Sequence, residues 1–210
     1  AIMRSVLRGL AVRSHTGLSP LAFGYDGSLQ PYAYDLEQAK RLMAEAGHAG
    51  GFEIELVSYS GSAMSVNQVA DAISGYLAAI GIRTRRRHFE NTGQWLAYER
   101  GGKAGGITLY SWGSLSIFDA DTILHPLLHS NEPLAYNAMP AMDDLLTRAR
   151  STLDLAERKR LYREAQKLIL DQASWIPLWA HVEVEAMDRQ LDYSPSADGL
   201  MRVHLARWRP

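Results

Sequence analysis

Residues 52–90 read FEIELVSYSGSAMSVNQVADAISGYLAAIGIRTRRRHFE, and their periodicity changes twice. FEIELVSYS (52–60) alternates as a strand does. Val66, Val69, Ala70, Ile73, Leu77 and Ile80 then recur at helical spacing until Gly81 stops the run. IRTRRRHFE (82–90) alternates again, with a charged face that reads as an exposed or edge strand. Strand, helix and strand of these lengths predict a right-handed crossover between parallel strands.

The same pattern continues downstream. A shorter helix is expected over TGQWLAYER (92–100), and GITLYSW (106–112) reads as a third strand entered through a glycine-rich turn. The β-α-β-α-β order predicts an α/β three-layer sandwich with a mainly parallel sheet and helices on both faces. Upstream, a Gly/Pro/Tyr-rich connection (16–34) leads to Asp35 and Gln38. These form a capping-box arrangement for a helix whose stripe is Ala39, Leu42, Met43 and Ala46, ended by Gly47. From 139 the chain turns helical. MPAMDDLLTRAR comes first, and Asp154 and Glu157 then cap LAERKRLYREAQKLILDQA, whose inner face is Leu161, Ala165, Leu168, Ile169 and Gln172. SWIPLWAHVEVEAM (174–187) reads as extended, and residues 188–210 as irregular.

The totals narrow the function classes. Lys plus Arg number 22 against 23 Asp plus Glu, for a formal net charge of −1, so no basic field draws the chain to nucleic acid. There is no cysteine, which rules out disulfides and thiolate metal sites. No apolar run reaches the roughly 18 residues of a membrane span, and AIMRSVLRGLAVRSHTG lacks the apolar centre and cleavage site of a signal peptide. Its first ten residues, AIMRSVLRGL, read as part of an amphipathic helix with no capping residue before it, so the chain is expected to be a piece of a longer one.

Ligands of open α/β sheets bind beyond the carboxyl ends of the strands. SYSGS (58–62) and SWGS (111–114) lie at two such ends and become neighbours if the strand order is 2-1-3. Trp112 offers a flat surface for stacking beside the unobstructed backbone of Gly113 and Ser114; the plainer alternative is a Trp that seals the core. Tyr59 and Ser60 either bond a ligand or belong to a solvated turn. Asp119 and Asp121 either neutralise a cationic group on a ligand or cap the helix DADTILHPLLH.

Asp121, His125 and His129 are spaced four apart and would share one helical face. Pro126, however, fits only a helix that starts near residues 123–125, and that start removes Asp121 from the face. No metal and no cofactor is therefore expected. The enzyme alternative is a metal-assisted hydrolase using Asp119, Asp121 and His125, but no G-x-S-x-G turn or other nucleophile signature accompanies them. A binding role is favoured over a catalytic one.

Several stretches together carry a resemblance: YDLEQAKRLMAEAG, VADAISGYLAAIGI, YSWGS, the run MDDLLTRARSTLDLAERKRLYREAQKLILDQASWIPLW and the closing HLARW. In this order, over nearly all of the chain, they resemble the carboxyl-terminal lobe of family 5 extracellular solute-binding proteins, the peptide-, opine- and nickel-type receptors of ABC importers. The resemblance implies a type II-like periplasmic binding protein lobe over 1–210, with a leading helix and connection (1–34), an α/β lobe (35–187) and a tail (188–210) directed toward a missing amino-terminal lobe. It further implies a periplasmic or lipid-anchored receptor, without a catalytic step. Such a receptor closes on a small peptide or peptide-like solute and delivers it to ABC permease subunits in the membrane. One position departs from the pattern. Peptide-binding members place an aspartate three residues after the strand-end tryptophan to pair with the peptide's ammonium, and here that position is Leu115.

Overall fold

The computed structural model describes residues 1–62, 65–102, 104–113, 117–136 and 139–209. In chain order its elements are α1 (Ile2–Ser5), β1 (Ala11–Arg13), α2 (Leu36–Glu45), β2 (Phe52–Tyr59), α3 (Val66–Ala78), β3 (Ile82–Phe89) and α4 (Thr92–Arg100). There follow β4 (Ile107–Thr108), α5 (Asp121–Leu128), α6 (Pro140–Ser151), α7 (Leu155–Asp171), β5 (Trp179–His181), β6 (Leu191–Asp192) and β7 (Arg207–Trp208). The chain packs as two units. One comprises Ala1–Gly9 and Tyr32–Ser111, and the other Leu10–Pro31 and Trp112–Pro210.

The first unit holds the parallel sheet, in the order β3-β2-β4. Both pairings are parallel, Phe52 to Tyr59 running beside Ile82 to Phe89, and Leu56 and Val57 beside Ile107 and Thr108. This is the expected 2-1-3 order, with the arginine-rich strand at an edge. Paired residues share a face of the sheet, so the helices can be placed. Val57 and Tyr59 pack with Trp95 of α4 on one face. On the other, Thr84 donates to Ser74 of α3 and Arg86 to Asp71 of α3. The sheet thus has a helix on each side, as the β-α-β-α-β reading requires.

Two elements of this unit depart from the expectation. The third strand is shorter than GITLYSW suggested: only Ile107 and Thr108 pair, with Leu109 adding one N–H to the Val57 carbonyl. Its start is fixed by Gly106, whose φ is +130° and where a Cβ would collide with the Glu55 carbonyl oxygen. Second, α2 begins as expected, with the Asp35 carboxylate accepting from the Gln38 N–H, but none of its side chains is fully buried and Leu42 is exposed. The basic face of β3 is solvent-exposed as expected, at Arg83, Arg85 and Arg87. Arg85 and Arg87 both reach the Glu55 carboxylate on the neighbouring strand.

The second unit is built on α5, α6 and α7. Ile123, Leu124 and Leu128 meet Met142, Leu146 and Ala149, and these meet Leu161, Tyr162, Ala165 and Ile169 in one apolar core. The α7 cap is as read, Asp154 accepting from the Ala156 and Glu157 N–H groups. Its inner face also holds Gln166, fully buried, which accepts from the Thr16 hydroxyl and donates to the Gly24 carbonyl, tying the 16–26 segment to the helix. β1 pairs antiparallel with β5, which lies in the stretch read as extended, and β6 pairs with β7, so the tail read as irregular contributes two short strands.

Candidate functional site

The carboxyl end of β2 delivers Tyr59 and Ser60. Tyr59 is buried, stacked on Trp95 at 4.2 Å between ring centroids, and its hydroxyl lies 3.4 Å from the Ser111 carbonyl. Burial pushes its phenol above the ordinary tyrosine pKa. The two strand ends named from the sequence therefore do meet, through Tyr59 and Ser111. Tyr59 lies within the packing, however, and not in an open turn. Ser60 is half-buried, and its hydroxyl lies 3.1 Å from Nε2 of His88. The other ring nitrogen of His88, Nδ1, lies 2.9 Å from the hydroxyl of Ser58, which is fully buried. Neither Ser58 nor His88 was singled out in the sequence. The register of two alternating parallel strands, which sets Ser58 opposite His88, is the signal that could have found them.

Trp112, Gly113, Asp119 and Asp121 belong to the second unit, and Ser114 and Leu115 lie outside the described residues. Trp112 is 38% exposed and Gly113 is exposed. The indole N–H donates to the Thr122 carbonyl at 2.9 Å, which fixes the ring against the start of α5. Contrary to the expected start near residues 123–125, α5 accommodates Pro126 within its length. The helix starts at Asp121, which places Pro126 in its interior. Proline has no N–H for the carbonyl four residues back, that of Thr122, and Trp112 supplies the missing donor.

Asp119 and Asp121 do not stand ready for an incoming cation. Arg158 binds Asp119 through both carboxylate oxygens, at 2.6 and 2.8 Å, with its guanidinium also over the Phe23 ring. Arg150 donates to both oxygens of Asp121, the shortest bond being 2.8 Å. Asp119 also performs the capping-type role foreseen for one of the pair, accepting from the Asp121 N–H at 2.9 Å. Nothing in the local sequence announced Arg158, which lies 39 residues from Asp119.

With the helix starting at Asp121, His125 and Asp121 do share a side of α5, yet the arrangement is not that of a metal site. Nδ1 of His125 lies 2.9 Å from Oε1 of Glu132, without the alignment of a hydrogen bond, and the His125 and His129 rings stack at 4.5 Å. Burial, and then the charge of Arg150, lower the His125 pKa. Among the described residues no three His, Asp or Glu side chains are grouped to hold a metal ion. Asp119, Asp121 and His125 thus have separate partners, and the hydrolase alternative has no convergent set of groups to rest on.

Among the described residues no helix is long and apolar enough to cross a membrane. The profile of bacterial extracellular solute-binding proteins, family 5 (middle), matches residues 1–134. Over 187 residues the chain is 32% identical to heme-binding protein A of Haemophilus influenzae, covering 85% of this chain and 33% of that protein. Over 167 residues it is 35% identical to di/tripeptide-binding protein 2 of Pseudomonas aeruginosa, covering 76% and 31%. The solved structure of the ABC transporter-associated periplasmic binding protein DppA from Helicobacter pylori, in complex with the peptide STSA, superposes with a TM-score of 0.71 at 28% identity, over 84% of this chain and 35% of that one. The chain spans about a third of the length of these relatives. An α/β unit with a parallel sheet, the sequence match and the structural likeness agree: this chain belongs to the bacterial extracellular solute-binding proteins of family 5.

Proposed function

We propose that the whole protein is the solute-binding component of an ABC importer. It captures a peptide or peptide-like solute in a cleft that closes between lobes, hands it to permease subunits in the membrane and catalyses no reaction. Its place of work is the periplasm or, with a lipid anchor, the outer face of the cytoplasmic membrane. In this reading the chain is the carboxyl-terminal lobe, 1–210, and an amino-terminal lobe completes the cleft. Membership in family 5 supports the receptor role, and relatives named for di/tripeptides, for heme and for a bound tetrapeptide bracket the solute class.

The observation that carries the site is Trp112, whose ring is held by its N–H while more than a third of its surface stays open beside Gly113. An aromatic surface already fixed in place loses little entropy when a ligand stacks on it. Trp112 and Gly113 form the ligand-facing stretch of their unit, and Ser60 that of the sheet. Tyr59, buried against Trp95, packs the end of the same strand, β2. Because Asp119 and Asp121 are each neutralised by an arginine, the solute's charge is not balanced by them. With Leu115 at the family's aspartate position, the favoured solute has its amine blocked, absent or met by another group.

The test is a thermal-shift screen of the full-length protein against di-, tri- and tetrapeptides, their N-acetylated forms, glutathione and heme. A solute bound by the folded state alone raises the melting temperature with its concentration. No shift with any of them, or turnover of a bound compound, would count against the receptor reading.

A further inference from the structure

We infer that Ser58, His88 and Ser60 form a hydrogen-bond relay which fixes Ser60 as a donor toward an acceptor oxygen, a carbonyl or carboxylate, of the bound solute. His88 is the positioning residue. The inference rests on reading the carboxyl edge of the sheet as ligand-facing.

The polarity of the relay follows from burial. The Ser58 hydroxyl lies 2.9 Å from His88 Nδ1, its side chain has no access to solvent, and no other partner for it is present among the described residues. A buried O–H left without an acceptor is costly, so Ser58 donates and Nδ1 accepts. A neutral imidazole that accepts at one nitrogen carries its proton on the other. Nε2–H therefore donates to the Ser60 oxygen at 3.1 Å. The reverse tautomer would make Nδ1 the donor and leave the buried Ser58 proton with nowhere to go. Ser60, its oxygen already engaged, is left with one free O–H to give.

The placement suits recognition. Ser60 follows the last residue of β2, and its main-chain N–H is held by the Phe89 carbonyl at 2.9 Å, so the hydroxyl swings from a fixed backbone. Ser60 is half-buried whereas Ser58 is fully enclosed, so the relay runs from the interior of the sheet to its accessible edge. A chain of donors pointing one way selects an acceptor at its end and rejects a donor such as an ammonium.

Two measurements on the full-length protein test this. In ¹⁵N-histidine NMR at neutral pH, His88 is expected as the Nε2–H tautomer in the native protein and as a tautomer mixture in Ser58→Ala, a signature that loss of packing alone would not give. In calorimetric titrations with the peptide Ser-Thr-Ser-Ala, and with whichever peptide of the thermal screen binds best, Ser60→Ala is expected to weaken binding roughly 5- to 10-fold, the worth of one hydrogen bond. Ser58→Ala and His88→Phe should weaken it less and add nothing further in the Ser60→Ala background. A His88 proton on Nδ1 overturns the relay. So does unchanged affinity in Ser60→Ala while Trp112→Ala binds more weakly. If neither a peptide nor any other compound of the thermal screen binds the native protein, the receptor reading itself fails, and the ligand half of this inference falls with it. Should His88→Phe fail to fold, Ser58→Ala and Ser60→Ala carry both measurements.

Discussion

Trp112 occupies the carbonyl that Pro126 leaves free: the indole N–H donates to Thr122 O at 2.9 Å, four residues before the proline. The Thr122 carbonyl thus links the two residues. Removing the donor in Trp112→Phe is expected to destabilise the protein by about 1 kcal/mol, since the bond is partly exposed. Pro126→Ala supplies a backbone N–H for the same carbonyl, so the Trp112→Phe loss should shrink toward zero in that background. Urea unfolding of the two single variants and the double variant measures the coupling. Additive losses would mean that the indole bond does not replace the missing amide.

That coupling also marks the boundary of what the sequence displayed. The caps at Asp35 and Asp154, the helices at 66–78 and 92–100 and the 2-1-3 strand order were all legible, because each depends on residues a few positions apart or on a period. A proline inside α5 was read as a barrier to the helix, because the donor that rescues it comes from outside the helix. The two acids looked available because their arginines arrive from α6 and α7, 29 and 39 residues on. β1 went unseen for the same reason. Its three residues pair with β5 near the far end of the chain, and three residues have no period to show. The short β4 was overread because alternation over 106–112 says nothing about how much of it finds a partner.

Glu55 gives a prediction about acid. Its carboxylate accepts from the Tyr98 hydroxyl at 2.6 Å, from Arg87 at 2.8 Å and from Arg85 at 3.3 Å, and is almost fully enclosed. The Tyr98 bond most of all, with the arginines behind it, holds the carboxyl below the ordinary glutamate pKa against the opposing cost of burial. A depressed folded pKa stabilises above the unfolded value, about 4.3, and that stability is lost as pH falls through the folded one. Glu55→Gln should therefore lower stability by about 1–3 kcal/mol at pH 7. The gap to the native protein should narrow below about pH 4. Urea midpoints of both proteins from pH 7 to 3 give the comparison, and a gap that is constant with pH would contradict it.

His125 titrates in a higher window. Burial, Arg150 and His129 disfavour its charged form more than Asp121 and Glu132 favour it, so its pKa is lowered. The unfolded chain then binds a proton before the folded one does. Stability attributable to His125 is complete above its unfolded value of about 6.5 and declines as pH falls from there through the folded pKa. His125→Phe, which keeps an apolar ring against the core and cannot be charged, should flatten the stability profile between pH 7 and 5. Thermal unfolding at half-unit steps shows whether it does, and a profile as steep as that of the native protein would place the titrating group elsewhere.

Asp119 decides between two accounts of the solute's charge. Arg158 closes on it with two hydrogen bonds, donates a third to the Ala149 carbonyl at 3.0 Å and a fourth to the Tyr162 hydroxyl at 2.9 Å. Both side chains are about one-fifth exposed, so the pair is neither a solvated surface contact nor a fully desolvated one. Asp119→Asn leaves Arg158 without its counter-charge, and a loss of about 1–3 kcal/mol in stability is expected, between the worth of exposed and buried pairs. If the carboxylate served the solute's ammonium instead, Arg158 would have to release it, and binding would carry that cost. The two accounts separate on affinity. With Asp119 committed to Arg158, Asp119→Asn should change the affinities for a peptide and for its N-acetylated form by the same factor in the full-length protein. A drop confined to the free-amine peptide, read by calorimetry at a temperature where the variant is folded, would assign Asp119 to the solute.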